Sequence, residues 1–191
     1  MKKWLIGSLV GAVLLFAWQF LSWGVTGLHD NEFKYHPQQD QIISALSANL
    51  KEDGRYMIPR PAPDVSSEEY QKVMSEMFGK PSAIITYKSS LENKMASQMI
   101  RGFLIDIVIV LLLIYLMGGR VDKSLGSIYM ATLAVGFVAW LWHPYTEHNW
   151  FQSPVTIITG ALLEWIIAYS ILGLWIGFWL SRNYKPTVNR P

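Results

Sequence analysis

The chain contains no cysteine. Disulfides, thiolate zinc sites, iron–sulfur clusters and cysteine nucleophiles are therefore excluded, while the redox compartment is left open. Net charge is scarce too: 16 Lys and Arg against 14 Asp and Glu leave +2. That charge is too small and too dispersed for a nucleic-acid surface, so no nucleic-acid partner is expected. The common catalytic signatures are also missing. No G-x-S-x-G, Walker A, H-E-x-x-H or G-x-G-x-x-G pattern occurs, and nothing singles out a serine as a nucleophile. The leading expectation is non-enzymatic.

Apolar residues are what the chain has in quantity: 51% are hydrophobic and 14% aromatic. They gather into four long runs, which a soluble domain rarely holds. The expected fold class is an all-α membrane protein with four transmembrane helices and a small α+β extramembrane insert. The first span is placed at 4–28, the insert at 29–97 and the second span at 98–118. A turn follows at 119–124, the third span at 125–142, a loop at 143–154, the fourth span at 155–180 and a tail at 181–191. The first run follows Met1-Lys2-Lys3. It exceeds the ~7–15 apolar residues of a signal h-region and ends in no small-x-small cleavage site, so it reads as an uncleaved anchor.

The insert carries its own local signals. Pro37 suits a first helical position, and Ile42, Ile43, Leu46 and Leu50 share one helical face before Gly54. Arg55–Ile58 reads as a short strand, and Pro59-Arg60-Pro61-Ala62-Pro63 as an extended connector. Ser66 with Glu69 forms a capping box for a helix to about Phe78, and Ser82–Lys88 is a β-branched strand. So small an α–β–α–β unit is expected to lean on the membrane helices or on a partner.

Orientation rests on the short segments. Lys2 and Lys3, Arg120 and Lys123, and Arg182, Lys185 and Arg190 fall on one side, and the loop at 143–154 has neither Lys nor Arg. Both termini are expected in the cytoplasm, with the insert and that loop outside.

Two acids lie inside spans, Asp106 and Glu164. A carboxylate near the middle of a span costs about 2.5–3.5 kcal/mol on insertion scales, so both should face protein or water. Such residues mark proton or cation pathways, but they also occur as neutralised packing groups, and the sequence leaves the two readings open. Small residues offer close helix contacts: Gly7 with Gly11, Gly160 with Ala168 flanking Glu164, and Gly173 with Gly177. All four histidines fall on the expected outer side. His29, His143, Glu147 and His148 have the donor types for Zn²⁺ or Cu²⁺, although their spacing matches no helical metal signature. No cofactor is otherwise indicated.

Two stretches carry a family resemblance. Phe16-Ala17-Trp18-Gln19-Phe20-Leu21-Ser22-Trp23, then His29, and Gly54-Arg55-Tyr56-Met57-Ile58-Pro59 resemble a family of small bacterial inner-membrane proteins. In that family a Trp-rich first span ends in Pro-Trp-His, and a Gly-x-Tyr-x-x-Pro element follows in the external insert. Here Thr26-Gly27-Leu28 stands before the histidine. The resemblance implies a bacterial cytoplasmic membrane and supplies no activity.

The expected function is an accessory or assembly component embedded in the lipid bilayer. It would dock on a larger membrane partner through its small-residue helix faces and its insert. The alternatives are a homo-oligomeric proton- or cation-coupled transporter or channel using Glu164 and Asp106, and an outward metal-handling protein.

Overall fold

A computed structural model describes residues 2–120 and 122–183 of the chain. The basic tail residues Lys185 and Arg190 lie outside the described residues. Four helical paths are long and apolar enough to cross a membrane: α1 (Lys2–Gly24), α4 (Met95–Gly118), a third path running over Leu125–Phe151, and α7 (Val155–Asn183). The protein is an all-α multi-pass membrane protein with a small α+β insert. Two compact units result. One holds the four paths and the turn after α1; the other is the insert, Tyr35–Asn93.

Within the first unit α1 packs against α4 and α7, and α5 (Leu125–Trp140) packs against α7. Their shared core is aliphatic: Leu15, Val110, Leu113, Ile114, Met117, Ile128, Ala168, Leu172 and Ile176. The outward faces are equally apolar, with Leu5, Val13, Phe20, Leu112, Leu116, Phe137 and Leu163 exposed. That is the pattern a lipid environment selects, because apolar side chains gain nothing there by burial against other helices.

The third path differs from the sequence expectation. The segment 143–154, expected to be a loop after a span ending at 142, is helical as far as Phe151. A π-helical segment, Leu141–Tyr145, holds Pro144, and α6 (Thr146–Phe151) continues from it. Proline lacks the N–H that an α-turn needs, and a widened turn absorbs the defect. The Thr146 hydroxyl donates to the Leu141 carbonyl at 2.8 Å, satisfying an acceptor in the widened stretch. Gln152, in a left-handed conformation at φ 53°, ends the path.

The insert follows its sequence signals closely. Helix α2 (Gln39–Asn49) starts just after Pro37 rather than including it. Strands β1 (Gly54–Ile58) and β2 (Ala83–Tyr87) pair antiparallel, with Gly54 opposite Tyr87 and Ile58 opposite Ala83. Between them α3 (Ser67–Met77) is capped by Ser66, whose hydroxyl accepts from the Glu69 N–H at 3.2 Å. Asp53 closes the open end of the hairpin by accepting from the Ser89 hydroxyl at 2.6 Å and the Ser89 N–H at 2.8 Å. These bonds hold the Asp53 carboxyl below its ordinary range. Neither α2 nor α3 has a buried residue. Pro61 and Tyr87 are the insert's only buried residues.

Candidate functional site

The polar interior of the bundle is built on one face of α1. After Gly24 the chain folds back in a turn whose sharpest point is Gly27, at φ +68°, a conformation that disfavours any side chain. The Thr26 hydroxyl donates to the Ser22 carbonyl at 3.0 Å and accepts from the Leu28 N–H at 3.3 Å, fixing the first half of the turn. His29 is thereby carried back over the end of α1. Its ring stacks on Trp23 with centroids 3.9 Å apart and planes 4° from parallel.

Both ring nitrogens of His29 face carboxylates. Nδ1 lies 2.6 Å from Glu32 Oε1, and Nε2 lies 3.3 Å from Glu164 Oε2. The first contact is a hydrogen bond. The second is a close approach without hydrogen-bond geometry, so Nε2 is buried without a hydrogen-bond partner. The other oxygen of Glu164 accepts from the Ser22 hydroxyl at 3.0 Å, and the Glu164 carbonyl accepts from Trp18 Nε1 at 3.3 Å. Gly160, one turn before Glu164 on α7, gives the His29 turn its seat. A Cβ there would stand 2.9 Å from Glu32 Oε1 and 3.4 Å from the Leu28 carbonyl. Ser22 is fully buried and His29 only 6% exposed, while the Glu32 and Glu164 side chains keep 12% and 14% of their surface, so the cluster is largely but not wholly enclosed.

Asp106, on α4, packs against the same face of α1, one turn away. Its Oδ1 accepts from Gln19 Nε2 at 3.1 Å; its Oδ2 has no hydrogen-bond partner, and the residue is 1% exposed. Gln19 and Ser22, spaced i and i+3, thus hold the two intramembrane acids side by side along one helix. The sequence singled out both acids and missed what joins them. The signal was there: two polar side chains at helical spacing in an otherwise apolar span, and Glu32 three residues beyond His29.

The remaining candidates are placed elsewhere. His143 is exposed on the π-helical segment, and Glu147 and His148 are half-buried on α6. His148 Nδ1 meets the Ser153 carbonyl at 2.5 Å, closing the turn after α6. His29 is thus engaged with Glu32 and Glu164. Among the described residues no group of three or more His, Asp or Glu is arranged to hold a metal ion. His29, His143, Glu147 and His148 are not gathered into one such group among the described residues.

The small-residue faces are occupied within the chain. The space left by Gly7 is filled by Trp179, that of Gly11 by Val110 and Trp175, that of Gly173 by Tyr129 and Thr132, and that of Gly177 by Leu125. Trp175 Nε1 also donates to the Gly7 carbonyl at 2.9 Å. Ala168 belongs to the core. No family model, curated protein or solved structure matches the chain.

Chemically, the cluster sets two carboxylates, an imidazole and a hydroxyl within hydrogen-bonding or ion-pairing reach of one another. Such an arrangement can hold a proton and pass it between neighbours.

Proposed function

We propose that this chain is a non-enzymatic accessory component of a bacterial cytoplasmic membrane that docks on a larger membrane protein through its external insert. One observation carries the reading: two amphipathic helices, α2 and α3, bury no residue. Ile42 and Ile43, on the apolar face of α2, are 47% and 50% exposed. A helix of 11 residues is marginal in water without an apolar partner for that face. Lys2, Lys3, Arg120, Lys123 and Arg182 support an orientation with the insert outside. The faces of Gly7, Gly11, Gly173 and Gly177 are filled by the protein's own side chains, which favours the insert as the docking element.

Extraction in mild detergent followed by mass analysis of the intact assembly tests this. The expected result is a stoichiometric membrane-protein companion that is lost from the Ile42→Glu, Ile43→Glu variant while the chain itself still folds. A lone chain, or a companion indifferent to the substitution, would overturn the reading.

A second reading, an oligomeric proton- or cation-coupled carrier, is favoured by the buried contact between His29 and Glu164. It requires Glu164→Gln to abolish proton-coupled uptake in reconstituted vesicles. Unchanged uptake would dismiss it.

A further inference from the structure

The docking reading leaves the buried cluster unused, and the cluster has a property that ordinary packing does not explain. Ser22 Oγ has two acceptors in reach, the Gln19 carbonyl at 3.1 Å and Glu164 Oε1 at 3.0 Å. A hydroxyl carries one hydrogen and can donate fully to only one of them. When Glu164 is ionised, Ser22 donates to it. When Glu164 carries a proton on Oε1, the carboxyl donates to Ser22 and Ser22 donates to the Gln19 carbonyl. Both protonation states of Glu164 are therefore satisfied without moving a heavy atom.

His29 adds the second half of the device. Its Nδ1 stays bonded to Glu32, while Nε2 faces Glu164 Oε2 without a settled hydrogen bond. With one proton between them, the pair is either imidazolium and carboxylate or neutral ring and carboxylic acid. Counting Glu32 as ionised, both forms carry one net negative charge, so exchange between them moves no net charge in or out. A further proton gives imidazolium beside a neutral Glu164 and brings the trio to zero. Ser22 then reverses its hydrogen bond to accept from the acid.

We propose that Ser22, His29, Glu32 and Glu164 form a buried proton-binding site, in which Glu164 takes up and releases the proton and Ser22 switches acceptor in response. The ligand is the proton itself. The inference is independent of the docking reading. The other titratable groups on the elements packed against α7 are hydrogen-bonded elsewhere or exposed. From α1 come only Ser22 and the turn residues His29 and Glu32. From α4 come Asp106, bonded to Gln19, and Arg101 and Tyr115, both exposed. From α5 comes Tyr129, which pairs with Ser170 away from the cluster. From the π-helical segment comes His143, which is exposed.

The test is infrared difference spectroscopy of the full chain in lipid vesicles across a pH series, with carbodiimide labelling alongside it. The expected spectrum shows a carboxylic-acid carbonyl band giving way to a carboxylate band as pH rises. The Glu164 component, obtained by subtracting the Glu164→Gln spectrum because the chain holds 14 Asp and Glu, should contain that pair, and its acid band should change frequency in Ser22→Ala, where the hydroxyl partner is gone. A Glu164 component that stays carboxylate across the whole series marks a static ion pair, and that result would overturn the proposal. Labelling covers the case in which a variant fails to fold, because it uses the unaltered protein. An apolar carbodiimide, which attacks protonated carboxyls, should modify Glu164 at low pH and lose its target as pH rises. Glu164 unmodified at every pH where the chain stays folded would equally overturn it.

Discussion

At the scale of single residues, the interior is governed by what each polar atom finds within reach. Asp106 finds one partner, Gln19, and keeps one oxygen without any. Removing that partner leaves a buried carboxyl with neither oxygen bonded, which costs about 1–3 kcal/mol. Gln19→Leu should therefore lower thermal stability in detergent, and by more than Asp106→Asn, which keeps an acceptor for Gln19. An equal loss in both variants would show that the pair contributes nothing beyond shape. Gly160 makes a parallel case in packing. The space beside it is filled by the Glu32 carboxylate and the Leu28 backbone. Gly160→Leu should push the His29 turn off α7 at a cost of about 1–3 kcal/mol. The stacking of His29 on Trp23 offers a direct optical check, since displacement of the ring alters tryptophan emission.

At the scale of elements, the insert and the third helical path show what a sequence reveals and what it hides. The Ser66–Glu69 capping box, the two strands and the four apolar runs were legible because each is a local signal repeated at fixed spacing. Pro144 misled for the same reason. Proline after His143 reads as a helix breaker, yet a widened turn and the Thr146 hydroxyl carry the helix past it. Pro144→Ala should leave total helix content in circular dichroism unchanged, since the helix already runs through that position. A gain of a full turn would mean the proline was limiting it. The contact between His29 and Glu164 was illegible, because it depends on how α1 and α7 pack and on the Gly27 turn, neither of which leaves a periodic trace. Asp53 gives the insert a pH dependence of definite sign. Its carboxyl is held below the ordinary range by Ser89, so the folded form is favoured while the group is ionised. That contribution is present above the ordinary carboxylate range near pH 4 and fades as pH falls through the lowered value. Hydrogen exchange at the Ser89 amide should accelerate over that acidic interval in the native chain and be fast throughout in Asp53→Ala. An acid-independent exchange rate in the native chain would contradict it.

At the scale of the whole molecule, two kinds of surface have separate uses. The bundle turns Gly7, Gly11, Gly136, Gly173 and Gly177 inward and leaves many aliphatic side chains facing outward, a division suited to lipid. The insert does the reverse, holding almost nothing inside and leaving apolar helix faces open. Under the proposed docking, the membrane part would stand by itself and the extramembrane part would be the one that needs a companion. If so, the insert should lose protection from proteolysis when the companion is stripped away, with the four helical paths remaining intact. Simultaneous loss of both would place the dependence in the bundle instead.

The cluster draws its members from the beginning and the far end of the chain, and this bears on biogenesis. Gln19 can engage Asp106 as soon as the second hydrophobic segment enters the bilayer. Ser22 and His29, by contrast, are made long before Glu164 emerges from the ribosome. Until the last segment arrives, the turn after α1 has no carboxylate on α7 to close upon, and the fourth segment must enter the membrane carrying an acid. Insertion of the final helix is then the step that completes both at once, and an assembly stalled before it would be recognisable by a His29 ring bonded to Glu32 alone.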